Sequence, residues 1–393
     1  MTGTQASSEG MSHLYRQFFP LFGGLFFCHL GIGMSLSTLP FYVRDVLIGD
    51  EVAVGVAVTA IALAVVVSRP VAGRYADRHG YKLVMLLGAV MCAVAGALYF
   101  VAANMPVLVA IRILHGVGEA AVFTAGATWL VQLAPEERRG KAVGLFGISM
   151  WMGITIGAFV GTQLLAFGGF AAVWTACLAT PVLGLALIAM KDKPQQAAQK
   201  KKQALLSSTA VLPGAALAMG ASGYAALAAF VVLYFDGRGI ENGIAVFNAY
   251  GLAYVGVRIL VGHWPDKFGP KRVAFWSGLV EAAGLLILAT APNLTIGIAA
   301  GLIMGAGLSL LYPSLALMVI NRTEKSQQGA ALGTYTSFWD LGLLIWGPIT
   351  GLVAKEAGFA SIYFLTMGCA VVASLLVLAA STRSAERPAG STA

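Results

Sequence analysis

The sequence predicts an all-α membrane protein with twelve transmembrane helices, arranged as two six-helix bundles related by an internal repeat. Of its 393 residues 58% are apolar and only 11% are charged, with a mean hydropathy of +0.81, whereas a soluble domain carries about 25% charge. Uncharged apolar runs of about 20 residues or more, each long enough to cross a bilayer, recur along nearly the whole chain. The second half also repeats the first at a fixed offset of 189 positions.

The apolar runs, divided at charged or Pro/Gly-marked breaks, define the spans in order. The first run is longer than a signal-peptide core and lacks a small-residue cleavage pattern, so we expect it to remain as the first helix. The first six spans are expected near 15–43, 51–73, 83–103, 106–133, 141–167 and 169–190. The second six are expected near 207–235, 241–264, 272–291, 294–320, 329–354 and 358–381.

These spans divide the chain into five segments. Residues 1–14 are expected to form a cytoplasmic tail and 15–190 the first bundle. The segment 191–206 contains KDKPQQAAQKKKQ, the only long polar stretch inside the chain, and is expected to be a cytoplasmic linker. Residues 207–381 form the second bundle and 382–393 a second cytoplasmic tail.

The distribution of basic residues predicts the orientation. The net charge is +8, but the Lys and Arg residues lie in short clusters between apolar runs rather than on a continuous face, so a nucleic-acid partner is not expected. With the amino terminus in the cytoplasm, all but four of the 25 Lys and Arg residues lie on or near that side. The exceptions are Arg44, Arg238 and Lys355 in loops opposite, and Arg112 within a span. The positive-inside rule therefore predicts that both termini are cytoplasmic.

Several classes of site are not expected. The four cysteines lie inside apolar runs without CxxC or His-ligand spacing, which argues against a disulfide framework or a metal site. HExxH, GxSxG and paired catalytic Asp motifs are absent from the sequence, so no catalytic residues are assigned and the protein is not expected to be an enzyme. The sequence also lacks a GxxxxGK[ST] loop, so ATP is not the expected energy source.

The repeat includes charged as well as small residues. Positions 69, 73, 77, 80 and 82 recur 189 positions later, as do Asn104 and several glycines. The pairs are Arg69 and Arg258, Gly73 and Gly262, Asp77 and Asp266, Gly80 and Gly269, Lys82 and Lys271, and Asn104 and Asn293. Such halves can move against each other to expose a central site alternately to the two sides of a membrane. A duplicated scaffold that does not transport, such as a membrane sensor, is the alternative.

Two loops at matched positions carry the most specific motif. GRYADRHGYK, residues Gly73 to Lys82, and GHWPDKFGPKR, residues Gly262 to Arg272, resemble the signature loop of the major facilitator superfamily. The resemblance implies a cytoplasmic gating motif in which Asp77 and Arg78 form a latch between the halves, with Tyr81 in place of the usual basic residue. The matching positions are Gly73, Asp77, Arg78, Gly80, Lys82, Gly262, Asp266, Lys267 and Gly269.

Two further segments support the same resemblance. IRILHGVGEA is similar to the family's fourth-helix motif, in which a buried arginine, here Arg112, is followed by a glycine one turn later. In the fifth helix, Gly153, Gly157 and Gly161 resemble the family's exporter motif, although Ala158 stands where that motif has proline. The combination resembles bacterial proton-coupled efflux carriers of the sugar-efflux or metallophore and drug-efflux type.

Ionisable residues within the spans are the candidates for proton coupling. Glu119, Glu281 and Asp340 fall well inside spans, where a charge is costly enough to suggest function. Arg112 and Glu119 share one face of the fourth helix, so we expect Arg112 to compensate Glu119 when it is ionised. A permanent, purely structural bridge between the two is the alternative. Asp340 is favoured over Glu281 as a second proton or substrate group, because the family's eleventh helix lines its central cavity.

The family also implies which helices line the substrate cavity. Candidate lining residues are His29, Tyr224, Asn248, Tyr254, Tyr312 and Trp339. Aromatic residues at membrane positions are also common as packing or interface anchors, so packing is the alternative for each of them.

The leading hypothesis is a proton-driven antiporter of the bacterial inner membrane that exports a small organic solute by alternating access. The expected partners are the solute, protons and the lipid bilayer, and we expect a monomer without a cofactor. The alternatives are a proton symporter that imports a small metabolite and, from another class, a non-transporting membrane sensor.

Overall fold

The computed structural model describes residues 3–133, 139–191, 207–324 and 327–380, and these ranges are helical without any strand. Nearly all of the predicted linker at 191–206 and the whole predicted tail at 382–393 lie outside them. The described helices are α1 (Gly3–Phe41), α2 (Glu51–His79), α3 (Tyr81–Leu98), α4 (Met105–Leu133), α5 (Arg139–Met190), α6 (Val211–Asp236), α7 (Ile244–Val261), α8 (Trp264–Phe268), α9 (Pro270–Ala289), α10 (Leu294–Ile320), α11 (Gln328–Ala357) and α12 (Phe359–Ala379).

Helix α5 contains two membrane spans. Its apolar part, Leu145–Met190, has 46 residues, which at 1.5 Å per residue is more than twice the thickness of a hydrocarbon core. The helix is broken at Gly168 and Gly169, and Gly169 has a φ of 64°. The equivalent residue of the second half, Gly358, has a φ of 82° and separates α11 from α12. Since α8 is too short to cross a bilayer, the described helices supply twelve spans, and the predicted fold class is confirmed.

The described chain forms two compact units. One contains the residues up to Ile48 together with Ala60 to the end of α5, and the other contains Gly49–Thr59 and the residues from 207 onward. The first two turns of α2 therefore belong to the second unit, although they precede the predicted boundary. The reason is a close contact with α11, where Gly347 lies directly against Gly55 and the side chain of Thr59.

The repeat extends to the way in which helices end. Lys82 Nζ donates hydrogen bonds of 2.7 and 2.5 Å to two carbonyls at the C-terminal end of α5. Lys271 Nζ donates bonds of 2.8 and 3.1 Å to the equivalent carbonyls at the end of α12. A cation at a helix C-terminus satisfies free carbonyls and is attracted by the helix dipole. The equivalent lysines Lys82 and Lys271 thus hold helix ends in place.

Small residues bring α1 and α5 into backbone contact. A Cβ atom at Gly153 would lie 2.6 Å from the carbonyl oxygen of Phe26 and 3.0 Å from the Cβ of His29. A Cβ at Gly161 would lie 2.7 Å from the Cα of Met34. The glycines that resemble an exporter motif therefore form the surface on which α1 packs, and this contact fixes the position of His29.

Candidate functional site

The candidate site of the first unit is centred on Glu119. This residue lies on α4 with 9% of its side chain exposed, and its Oε1 atom is 3.6 Å from Arg69 Nη2 on α2 and 3.6 Å from His29 Nε2 on α1. Three helices thus supply one carboxyl group and two basic groups within the apolar interior. We call these three residues the Glu119 cluster.

Each basic residue of the Glu119 cluster is oriented by a second contact. His29 Nδ1 is 2.9 Å from the carbonyl oxygen of Leu25, one turn earlier on α1. Because a carbonyl oxygen only accepts, Nδ1 carries the hydrogen, and Nε2 is directed to Glu119. The guanidinium of Arg69 lies 5.2 Å from the centre of the Phe123 ring, one turn after Glu119 on α4.

The predicted compensation of Glu119 by Arg112 stays a prediction. Arg112 is fully buried, and its Nη1 donates to Ser35 Oγ at 3.2 Å and to Tyr99 OH at 3.3 Å. Arg112 and Glu119 share one helix face, and Glu119 is also reached by Arg69 and His29 from other helices.

A second buried polar cluster surrounds Arg112. The hydroxyl group of Tyr99 contacts both Arg112 and, at 3.2 Å, His115 Nδ1. Tyr99 and His115 are fully buried. The face of α4 that the sequence marks as ionisable thus contributes to two polar clusters, one around Glu119 and one around Arg112.

Arg69 is not among the residues predicted for the site, although the sequence contains a signal for it. Arg69 and Arg258 are repeat equivalents, and both lie in spans. Arg258 Nη2 donates to Tyr254 OH at 3.1 Å and to the carbonyl of Ser309 at 2.7 Å, and its guanidinium is 6.0 Å from the ring of Tyr312, the equivalent of Phe123. Both halves therefore place an arginine beside an aromatic ring. In the first half, Glu119 lies at this arginine as well.

The two other candidate acids lie in the second unit. Asp340, on α11, is 4% exposed. Glu281, on α9, is 1% exposed, and neither of its carboxyl oxygens has a hydrogen-bond partner among the described residues. Its Oε1 lies directly against Gly223 of α6, where a Cβ would be 2.7 Å away. The repeat equivalent of Glu281 is Cys92, so the scaffold accommodates an uncharged side chain at the same position.

The predicted cavity residues of the second unit form aromatic contacts. Tyr224 lies 5.7 Å from Trp339 and 5.8 Å from Tyr250, measured between ring centroids. Tyr254 and Tyr312 flank Arg258, as described above. Asn248 is partly buried, and its Oδ1 has no hydrogen-bond partner among the described residues. His29, which was predicted to line the cavity, lies in the Glu119 cluster.

The first gating loop is held together locally. Tyr81 OH donates to Asp77 Oδ1 at 3.0 Å and accepts a hydrogen bond of 2.8 Å from Gln132 Nε2. Tyr81 therefore provides a contact for Asp77, in place of the basic residue that the family pattern has there. Gly80 has a φ of 97° and its equivalent Gly269 a φ of 90°, a conformation that favours glycine. The predicted latch between Asp77, Arg78 and the other half stays a prediction.

The remaining motif residues differ in exposure. Gly73 is partly buried, with Thr124 Cγ2 3.6 Å from the position of a Cβ. Arg78 and Asp266 are exposed, and the Nζ atom of Lys267 lies 5.2 Å from the ring of Phe268. Gly262 follows α7 directly.

Comparisons with known proteins agree with this fold. The family model described as Major Facilitator Superfamily matches residues 21–249 and 215–393. An uncharacterised MFS-type transporter of Salmonella typhimurium is 30% identical over 368 residues, which cover 91% of this chain and 95% of that protein. The uncharacterised MFS-type transporter YhhS of Escherichia coli is 32% identical, covering 89% of each chain.

Solved structures show the same fold at lower identity. A D-xylose–proton symporter superposes with a TM-score of 0.78 at 16% identity, covering 92% of this chain and 97% of that one. A mutant form of the nucleoside transporter NupG gives a TM-score of 0.75 at 14% identity, covering 93% of this chain and 99% of that one.

Proposed function

The chain belongs to the major facilitator superfamily of membrane transporters, and on that premise we propose that it is a proton-driven antiporter that exports a small organic solute. Transporters of this family generally need no cofactor and are not enzymes. In the proposed cycle, the carrier exposes its site alternately to the two sides of the membrane. Binding of a proton to the Glu119 cluster accompanies one of these transitions.

The observation that supports this proposal most directly is the geometry of His29 and Glu119. Nδ1 of His29 carries a hydrogen because it faces a carbonyl oxygen, and Nε2 lies 3.6 Å from Glu119 Oε1. A neutral imidazole would direct its lone pair at a carboxylate, which is repulsive. A proton held between the two groups, on Nε2 as an imidazolium or on Oε1 as a carboxylic acid, would remove this repulsion. Such a proton, shared between two buried groups, can be bound and released.

Arg69 provides a way for the Glu119 cluster to release its proton. While Arg69 lies close to Glu119, its positive charge favours the carboxylate. A conformational change that moves α2 away from α4 would remove that charge and favour the protonated acid. The driving force is adequate, because one charge that crosses 100 mV contributes about 2.3 kcal/mol before any pH gradient is added. Asp340 is proposed as a second proton or substrate group, and Glu281 remains the alternative.

The direction of transport and the solute are proposed from the resemblance to efflux carriers. The proposed solute is a drug, a sugar-like metabolite or a metallophore. The curated relatives are bacterial, which supports a location in the bacterial inner membrane. The basic loops support cytoplasmic termini. A monomer is proposed because one chain already supplies both units and all twelve spans.

A proton symporter that imports its solute is the second candidate. Two observations favour it over an exporter. Ala158 stands where the exporter motif has proline. The glycines around it are accounted for by the packing of α1 on α5, so they need not report on the direction of transport.

The sign of the proton movement distinguishes these two candidates. Purified protein is placed in liposomes that contain a pH-sensitive dye, with potassium and valinomycin to clamp the potential. Drugs, sugars and metallophores are then added outside without a pH gradient. Antiport moves protons outward as the solute enters, so the lumen becomes alkaline, whereas symport makes the lumen acidic. A solute that enters without any change in lumenal pH contradicts proton coupling.

The variant Glu119→Gln tests the proposed proton site in the same liposomes. We expect it to lose solute-dependent proton movement while it retains exchange of labelled for unlabelled solute, since that exchange requires no net proton transfer. Glu241→Gln is the matched control, because Glu241 is an exposed acid in the turn before α7, and it should behave as the wild type does. If Glu119→Gln still moves protons with the wild-type ratio to solute, the assignment to Glu119 is wrong.

A further inference from the structure

A cavity of about 450 Å³ lies in the second unit, where α9 begins and where α10 and α12 end. Its volume falls in the range of ligand-binding pockets. Because it lies at the ends of three spans, it is placed near one surface of the bilayer. The basic loops predict that this surface faces the cytoplasm.

The polar part of the cavity is positively charged. Arg272 and Arg322 line it together with Asn321, and no acidic residue is among the lining residues. Neither arginine has an acidic ion-pair partner among the described residues. Lys271 also lines the cavity, but its ammonium group is already bound to the end of α12. Partial burial lowers the pKa of Arg322, yet an arginine stays cationic at neutral pH, so its charge is available to an anion.

The remaining part of the cavity is apolar and exposed. Trp276 is 64% exposed, and Phe268 and Leu378 are each 49% exposed. Tryptophan is enriched at the boundary between the hydrocarbon and the headgroups of a bilayer. A charged pocket with an aromatic and aliphatic border matches a molecule that has an anionic head and apolar chains.

The internal repeat shows that the fold itself does not require Arg272, Trp276 and Arg322. The equivalents of Arg272, Trp276 and Arg322 in the first half are leucines, at positions 83, 87 and 133. Both halves nevertheless form the same set of helices, with equivalent lysine contacts at their ends. The two arginines and the tryptophan are therefore a specific addition to the second half.

We propose that this cavity binds an anionic phospholipid of the leaflet that faces the cytoplasm, with its phosphate between Arg272 and Arg322 and its acyl chains along Trp276 and Leu378. Basic pockets between transmembrane helices on the cytoplasmic side suit anionic headgroups. A soluble anion would use the arginines but would leave the apolar border uncovered. This site is independent of the Glu119 cluster and of the direction of transport.

Native mass spectrometry of the delipidated full-length protein in detergent tests the proposal, with phosphatidylglycerol as the probe. We expect phosphatidylglycerol to bind more tightly than zwitterionic phosphatidylethanolamine. Arg272→Gln and Arg322→Gln should each weaken phosphatidylglycerol binding about fivefold, the factor expected from one basic side chain at an anionic surface. Arg322→Lys keeps the charge and should retain most of the affinity. Arg74→Gln is the control, since it removes an exposed arginine of the first half.

Three results would overturn the proposal. The first is that both glutamine variants bind phosphatidylglycerol as the wild type does. The second is that Arg74→Gln loses as much affinity for phosphatidylglycerol as those two variants do. The third is that inorganic phosphate, or glycerol phosphate, competes as well as the lipid, which would indicate a site for soluble anions. Melting temperatures recorded without lipid show whether a variant is folded, and a variant that fails this test is replaced by Trp276→Leu, which introduces the residue found in the first half.

Discussion

At the scale of single residues, the molecule holds its buried acids in two different ways. Glu119 has two basic partners within 4 Å, whereas Glu281 has no hydrogen-bond partner among the described residues for either carboxyl oxygen. A buried polar group without a partner costs about 1–3 kcal/mol. Glu281 thus lowers the free energy of unfolding, at a position where the first half has a cysteine. A residue that costs stability in this way is expected to have a role other than packing.

This cost can be measured with Glu281→Met, which has nearly the same length without the polar atoms. We expect the free energy of unfolding in detergent to rise by about 1–2 kcal/mol, because an unpartnered carboxyl group is removed from the interior. Glu241→Met, at an exposed site, should change it by less than about 0.5 kcal/mol. A loss of stability in Glu281→Met would contradict this explanation. If instead the variant loses proton movement while Glu119→Gln keeps it, Glu281 carries the proton.

At the scale of elements, glycine determines how closely helices approach. On α5, a Cβ at Gly157 would collide with the backbone carbonyl of Leu30 on α1, and it would lie 3.1 Å from the Cα of Gly33. At Gly147, on the same helix, a Cβ would meet no atom within 4 Å. One helix thus offers a tightly packed glycine and an open one, and only the first is required by the fold.

The two glycines give a matched pair of substitutions. Gly157→Ala should lower the free energy of unfolding by about 2 kcal/mol, because the added methyl group forces α1 and α5 apart. It should also weaken proton movement in liposomes, since α1 carries His29. Gly147→Ala should raise stability by roughly 0.5–1 kcal/mol through its higher helix propensity. Equal stability of the two variants, measured by thermal unfolding in detergent, would show that the close contact is not formed.

At the scale of the whole molecule, the basic residues that break the positive-inside pattern are each held by a neighbour. Arg44 contacts Asp45, Arg238 donates to Tyr234 and to the carbonyl of Ala291, and Lys355 contacts Asp50. The last pair joins the residue before α2 to the last turn of α11 at 2.9 Å. Local partners thus accommodate the three cations on the side that the charge distribution marks as opposite to the cytoplasm.

The pair between Asp50 and Lys355 predicts a dependence on pH. The hydrogen bond from Lys355 lowers the pKa of Asp50, and the N–H of Ala53 contributes in the same direction. The stabilisation is therefore fully present above the ordinary carboxyl pKa of about 3.9 and is lost as the pH falls through the lowered value. At neutral pH, we expect the melting temperature of the wild type to be slightly higher than that of Asp50→Asn. This difference should disappear as the pH is lowered. A margin that stays constant down to about pH 3 would contradict the ion pair.

Local patterns in the sequence were enough to predict the twelve spans, the repeat and the helix ends that depend on local chemistry. Apolar length sets a span, and the residues at a helix end decide where the chain turns, as at Gly80 and Gly269. The two gating loops could be identified because their glycines and charged residues recur at matched positions of the two halves. The resemblance to a family added the expectation of buried charges on the fourth helix.

Which groups meet across the molecule follows from the packing of the helices. Sequence spacing placed Arg112 on the face of Glu119, whereas Arg69 and His29, which reach Glu119 in the structure, lie 50 and 90 positions away along the chain. Spacing identifies neighbours within one helix, whereas the rotation of each helix and its distance from the next follow from packing. Glycines on α5 bring α1 close and direct His29 toward α4. The chemistry of the candidate proton site therefore depends on three helices whose relative placement no local pattern contains.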